Sequence, residues 1–280
     1  MTGILDGRRA GGGTVRSIDL RSHLEQYDTL FVDVDGVLCR SDDFFEQAVV
    51  ALNAFDRKNL YICTNSVRRT PSILAERLRR AGLDVDPGRI YTGARIAISY
   101  LHGSGITDDV YLLGCGAARA YFEENGIEVT GSIDGSKAVV LGAIAEEDMN
   151  LAVYTSVMNR HLNGLLTVAT SEDLVVPDAG GRAKLATGFL ALFLKKLSAA
   201  NYALVGKPSP LYFEQVMAAA RGEGGERILM IGDTYHADIL GALDAGIDAL
   251  HVCDADPPGE SRRGSRTARL ELSSEVTVHG

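Results

Sequence analysis

Apolar residues in this chain fall in short unbroken runs, separated by longer stretches where they recur every three or four positions. The runs "TLFVDV" (29–34), "LYICT" (60–64), "YALVG" (202–206), "ILMIGD" (228–233) and "DALHVC" (248–253) predict buried strands. The stretches "EQAVVALNAFDRK" (46–58), "TPSILAERLRRAG" (70–82), "SPLYFEQVMAAARG" (209–222) and "YHADILGALDAG" (235–246) predict helices. The second of these carries its own punctuation, with Thr70 as the cap, Pro71 in the first turn and Gly82 as the stop. Alternation of this kind predicts an α/β fold, a doubly wound parallel sheet covered by helices on both faces.

The middle third repeats the pattern. "DVYLLGCG" leads into "AARAYFEENG", "KAVVLGAI" into "EEDMNLAVYTSVMNRHLNG", and "LLTVAT" through a polar loop into the helical "RAKLATGFLALFLKKLSA". "GCGAAR" (114–119) lacks the third glycine of a dinucleotide loop and reads as a strand-to-helix turn. Because the five core strands flank this region, we expect a core from residues 16–100 and 201–256, with 101–200 inserted as a smaller α/β unit. Residues 1–15 and 257–280 are polar and punctuated and are expected to be flexible ends.

The 280 residues are 46% hydrophobic and 23% charged, ordinary values for a globular chain with a sizeable core. A net charge of −9 argues against a nucleic-acid partner held by a general basic surface, yet allows an anionic ligand in a locally cationic cleft. Cys39, Cys63, Cys115 and Cys253 show no metal-ligand spacing and read as small filler in a reducing compartment. The first residues hold no apolar signal-peptide core and no stretch approaches a membrane span. The expectation is a cytoplasmic protein with no membrane partner.

Chemistry concentrates at four predicted strand ends, where ligands bind in an open α/β sheet: "DVDGV" (33–37), "CTNS" (63–66), "GKPSP" (206–210) and "GDTYHAD" (232–238). Each alone has a plainer reading as a turn or a cap, since Asp-Gly is an ordinary turn pair and Thr-Asn-Ser an ordinary cap. Together they supply carboxylates, hydroxyl and amide donors and one lysine. If Asp33, Asp35, Asp233 and Asp238 converge, each like-charge pair at 4 Å costs about 4 kcal/mol at an effective dielectric near 20. Lys207 alone cannot balance several such pairs. Hard oxygen donors then favour Mg²⁺ over a soft transition metal.

In order and content the four segments resemble the motifs of the haloacid dehalogenase-like (HAD) phosphohydrolases. "CTNSVRRT" and "LVGKPSPLYFEQV" are similar to segments of the NagD-like branch, subclass IIA, and the insert resembles that branch's C2-type cap. The resemblance runs over roughly 28–255 and implies a Rossmann-like core carrying a mobile cap. It makes Asp33 the nucleophile and Asp35 the general acid, then base. It gives the phosphoryl oxygens to Thr64, Asn65 and Lys207, and Mg²⁺ to the Asp33 carboxylate, the Asp35 carbonyl and Asp233, with Asp238 orienting the surrounding groups. Two aspartates two residues apart face the same side of an extended strand, so this division needs a local departure at Gly36.

Arg68, Asp178, Arg182 and Lys184 are the candidates for contact with the rest of the substrate. His236 reads as a helix-face residue. Where NagD-like caps carry Gly-Leu-Asp this chain has "LGAIAEED" (141–148), and "LATG" (185–188) replaces Pro-Gly-Thr-Gly. Both departures fall in the cap, so the resemblance implies the core chemistry and leaves the substrate open among small phosphorylated metabolites, such as a sugar phosphate or nucleoside monophosphate. A phosphotransferase or mutase on the same core, a non-catalytic phosphate sensor, and a cap-paired homodimer stay open on sequence alone.

Overall fold

The computed structural model describes residues 23–40, 43–53, 55, 59–143, 149–177, 183–254, 266–270 and 274–279, the last two segments and residues 177, 183, 253 and 254 by backbone alone. The chain divides into two compact units. One takes in the described residues up to Cys63, Leu78–Arg89 and those from Phe213 onward; the other takes in Thr64–Arg77 and Ile90–Tyr212.

The first unit is built on a parallel sheet in which Thr29–Val32 lies between Leu60–Thr64 and Ile228–Gly232, with Asp248–Asp254 next to the latter. Every residue of the first three strands is buried, as unbroken apolar runs require when both faces are covered. Register is set by Phe31 opposite Met230 and Tyr61, and the Phe31 and Tyr61 rings meet edge-on at 5.6 Å. Glu46–Asn53 is helical and buries Ala48, Val49 and Leu52.

The second unit holds a five-stranded parallel sheet in the order Tyr202–Leu204, Leu166–Ala169, Ala138–Leu141, Val110–Leu113, Val129–Thr130. Helices Gly93–Gly103, Gly116–Glu124, Leu151–Leu162 and Gly188–Leu197 accompany it. Val139, Leu141, Val157, Leu190 and Leu194 form part of its core. One polar group is built into that interior. His161 is fully buried, with Nε2 facing the Leu194 and Ser198 carbonyls at 2.9 and 3.0 Å and Nδ1 facing Thr167 Oγ1 at 2.9 Å. Two carbonyls at Nε2 place the ring hydrogen there, so both ring nitrogens have hydrogen-bond partners.

Four expectations change. "YALVG" is not a buried core strand: Tyr202–Leu204 is half-buried and pairs with Leu166–Ala169 at the edge of the second sheet, because an apolar run does not state which sheet it joins. The polar loop before Gly188 contains an antiparallel hairpin, Val175–Pro177 with Ala183–Leu185, so the helix starts six residues later than its apolar pattern suggested. The C-terminal stretch is not without order in its described parts. Ser274–His279 runs antiparallel to Asp248–Asp254, and Arg266–Leu270 pairs with it; alternating Thr and Val favour strand there despite the polar surroundings. Finally, "YHADILGALDAG" is not a single α-helix but a π-helical turn, Tyr235–Leu240, followed by Gly241–Asp244. No helix among the described residues is long and apolar enough to cross a membrane.

Candidate active site

The Thr29–Val32 and Ile228–Gly232 strands are parallel neighbours with Val32 opposite Ile231, so both deliver their next residues to the same rim of the sheet. Asp33 is the first residue past one strand, its N–H donating to the Ile231 carbonyl at 2.9 Å; Asp233 is the first past the other. Asp238 enters from the π-helical turn. Carboxylate oxygens of Asp33, Asp233 and Asp238 all lie within 4.8 Å of one another, and Asp33 and Asp238 are only 7% and 1% exposed.

Backbone geometry makes this convergence. After Val32 the chain leaves the extended form, with the Leu38 and Cys39 N–H groups both donating to the Val34 carbonyl at 2.8 and 3.0 Å. Gly36 takes φ +88°, a conformation that a side chain would strain, and a Cβ there would sit 1.9 Å from Asp233 Oδ2. The departure leaves Asp33 buried and Asp35 exposed, with the Cys39 thiol 3.9 Å from Asp35 Oδ1. A Cβ on Gly232 would come within 2.2 Å of the Asp238 Cβ. The Asp238 carboxylate accepts the Thr234 N–H at 3.0 Å while its own N–H returns to the Thr234 carbonyl at 2.8 Å. Thr234 Oγ1 also donates to Asp233 Oδ1 at 3.2 Å, and buried His251 lies 2.9 Å from the Asp233 carbonyl through Nε2.

In the second unit, Thr64 is buried and its hydroxyl accepts the Ser66 N–H at 3.1 Å. Asn65 meets the loop after Tyr202–Leu204: its Nδ2 donates to the Lys207 carbonyl at 2.9 Å, and its Oδ1 accepts the Lys207 N–H at 2.7 Å. Lys207 is 3% exposed and precedes a cis proline, Pro208. The Asn65 carboxamide is thus engaged by the lysine's own peptide group.

Of the remaining candidates, Arg68, Lys184 and His236 are exposed. Asp178, Arg182 and the Glu146–Asp148 stretch lie outside the described residues. Sequence reasoning missed the structural parts of Gly232, Thr234 and His251. A signal existed for the first two, since glycine followed by two oxygen-bearing residues at the end of a buried run marks a tight approach; none existed for His251.

Three carboxylates this close, two of them buried, repel one another strongly unless a cation shares the space. Their hard oxygens suit Mg²⁺, and the donor set fits that ion.

With this geometry in view, the likeness to known proteins is specific. Residues 30–128 match the haloacid dehalogenase-like hydrolases and residues 204–256 a HAD-hydrolase-like family, together more than half of the chain. The acid sugar phosphatase of Staphylococcus aureus is 24% identical over 232 residues, which is 82% of this chain and 87% of the relative. NagD from Escherichia coli K-12 shares the fold at a TM-score of 0.66 and 25% identity, over 80% of this chain and 86% of NagD. A glycerol phosphate phosphatase from Mycobacterium tuberculosis, solved with magnesium, gives 0.69 at 23% identity, over 80% of this chain and 68% of its own. The same phosphatase has also been solved with calcium.

The chain belongs to the haloacid dehalogenase-like hydrolases. Within them it is a NagD-like phosphatase.

Proposed function

We propose that this phosphatase hydrolyses a small phosphorylated metabolite, a sugar phosphate or nucleoside monophosphate, with Mg²⁺ as cofactor and an aspartyl phosphate as intermediate. The observation that carries the reading is the meeting of Asp33, Asp233 and Asp238 at one rim of a parallel sheet. The acid sugar phosphatase and glycerol phosphate phosphatase activities of the relatives support the substrate class.

Asp33 and Asp233, with the Asp35 carbonyl, would hold the ion. Bound there, Mg²⁺ supplies positive charge that offsets the carboxylates and the phosphoryl oxygens. Asp33 attacks phosphorus through a carboxylate oxygen, and the P–O bond to the substrate breaks as Asp35 delivers its proton to the departing alkoxide. Asp35, now ionised, takes a proton from water. That water attacks the phosphorus of the acyl phosphate, releasing inorganic phosphate and restoring the Asp33 carboxylate. The exposure of Asp35 beside a buried Asp33 suits this division, since only the former must exchange protons with substrate and water.

By resemblance, Thr64 and Asn65 bind phosphoryl oxygens and Lys207 places its charge on nucleophile and phosphate. Asp238 keeps the loop bearing Asp233 in place through Thr234. The inserted unit acts as a cap that selects the leaving group through Asp178, Arg182 and Lys184, with Arg68 beside the Thr-Asn motif as a further contact, in a cytoplasmic enzyme able to form homodimers. The test is a screen of phosphorylated metabolites against the purified protein, with and without Mg²⁺, using Asp33→Asn as control. Metal-dependent turnover lost in that variant supports the reading. Turnover indifferent to Asp33→Asn removes it.

A further inference from the structure

Lys207 has four rotatable bonds between its Cα and its charge, so an ammonium can be aimed only if the peptide that carries it is held still. The loop has few regular means of doing so. Lys207 lies three residues past Leu204, beyond the last bond to the Leu166–Ala169 strand, in which the Val205 N–H donates to the Ala169 carbonyl at 2.9 Å. Its N–H and C=O, which a neighbouring strand would have paired, are taken instead by one side chain from 142 residues earlier.

We propose that Asn65 is a positioning residue for Lys207: its carboxamide stands in for a missing strand and fixes the lysine's backbone. The two bonds, 2.9 Å from Nδ2 to the Lys207 carbonyl and 2.7 Å from the Lys207 N–H to Oδ1, use the acceptor and the donor of one amide at once. An Asp in its place keeps the acceptor and has no donor; an Ala has neither. The surroundings admit no slack around this pair. A Cβ on Gly206 would lie 2.7 Å from Asn65 Oδ1 and 1.8 Å from the Thr170 carbonyl oxygen. A Cβ on Gly93 would lie 2.5 Å from the Asn65 carbonyl oxygen. Both glycines let backbone close on the asparagine, which is thereby gripped at its main chain and at its side chain. Thr170 is itself tied down, its hydroxyl donating to the Leu141 carbonyl at 3.0 Å. Asn65 thus acts through the lysine and not by its side chain on phosphate.

The inference rests on the reading of Lys207 as a catalytic group, and the experiment separates the two. Asn65→Ala, Asn65→Asp, Lys207→Ala and the double variant Asn65→Ala/Lys207→Ala are assayed as full-length protein in saturating Mg²⁺. The substrate is p-nitrophenyl phosphate, with circular dichroism confirming the fold of each variant. A misplaced reacting group costs up to about 100-fold, so Asn65→Ala should lower kcat by about 10- to 100-fold with a smaller change in KM. Asn65→Asp, which keeps half of the pairing, should fall between it and the wild type. In the Lys207→Ala background, Asn65→Ala should change kcat by less than about 2-fold, because the group that it positions is gone. An Asn65→Ala penalty undiminished in that background overturns the positioning role while leaving Lys207 catalytic. Wild-type turnover by Lys207→Ala overturns the assignment of Lys207 itself. Should Asn65→Ala fail to fold, the same cycle with Asn65→Asp decides.

Discussion

Between Gly36 and Asp233 there is no room for a methyl group, since a Cβ would stand 1.9 Å from a carboxylate oxygen. Gly36→Ala should therefore push Asp233 out of the cluster and strain a left-handed residue. The expected result is a Mg²⁺ requirement raised at least about tenfold, with a folded protein by circular dichroism; activity titrated against Mg²⁺ reads it. Asp33→Asn, which removes the nucleophile proposed above, should cost about 10³-fold or more in kcat. Asp33 and Asp233 stood out in the sequence because each follows an apolar run, where an acid needs a reason to be, whereas Asp238 stood out only as part of "GDTYHAD". Asn65 was legible only as a member of "CTNS". Its partner lies 142 positions away, and spacing along a chain carries no trace of such a pairing.

Capping chemistry read from the sequence holds where the structure tests it. Thr70 Oγ1 accepts the Ile73 N–H at 3.3 Å at the head of Pro71–Arg80, and Gly82 takes φ +93° beyond its end. One cap was not read from the sequence: the Leu151–Leu162 helix starts on Asn150, whose Oδ1 accepts the Ala152 and Val153 N–H groups at 2.9 and 3.3 Å. Asn150→Ala should lower the unfolding free energy by about 1 kcal/mol in urea melts. Sheet membership was less legible: Tyr202–Leu204 carries the same apolar signature as the core strands, and only its register with Leu166–Ala169 assigns it.

A pH effect belongs at this scale too. Tyr27 donates to Asp248 Oδ2 at 2.8 Å, tying the segment before the first strand to the Asp248–Asp254 strand. Burial, then that hydrogen bond and the aspartate's charge, push the phenol up to about 12 from an ordinary value near 10. A raised value means that the unfolded chain gives up the proton first. The stabilisation is whole below pH 10 and is lost as pH climbs from 10 to 12. Melting temperature followed across that window should fall, and Tyr27→Phe should flatten that part of the decline.

For the molecule as a whole, the chain carries a net charge of −9, and three of its carboxylates meet at one rim of the sheet. An ion that binds only the folded state stabilises it, by about 2.7 kcal/mol at a hundred times its dissociation constant. Mg²⁺ should raise the melting temperature in calorimetry, and chelation should reverse the rise. Asp233→Asn should abolish the response, since it removes both a proposed ligand and part of the repulsion that the ion would relieve.

The placement of Tyr202–Leu204 also bears on any attempt to graft a new specificity onto this scaffold. A chimera that swaps residues 101–200 for a relative's insert leaves an orphan strand behind, stripped of the Leu166–Ala169 edge it was zipped to. It also parts the Asn201 carbonyl from the Thr167 N–H it accepts at 2.8 Å. Moving the downstream junction past Leu204 transplants the five-stranded sheet whole.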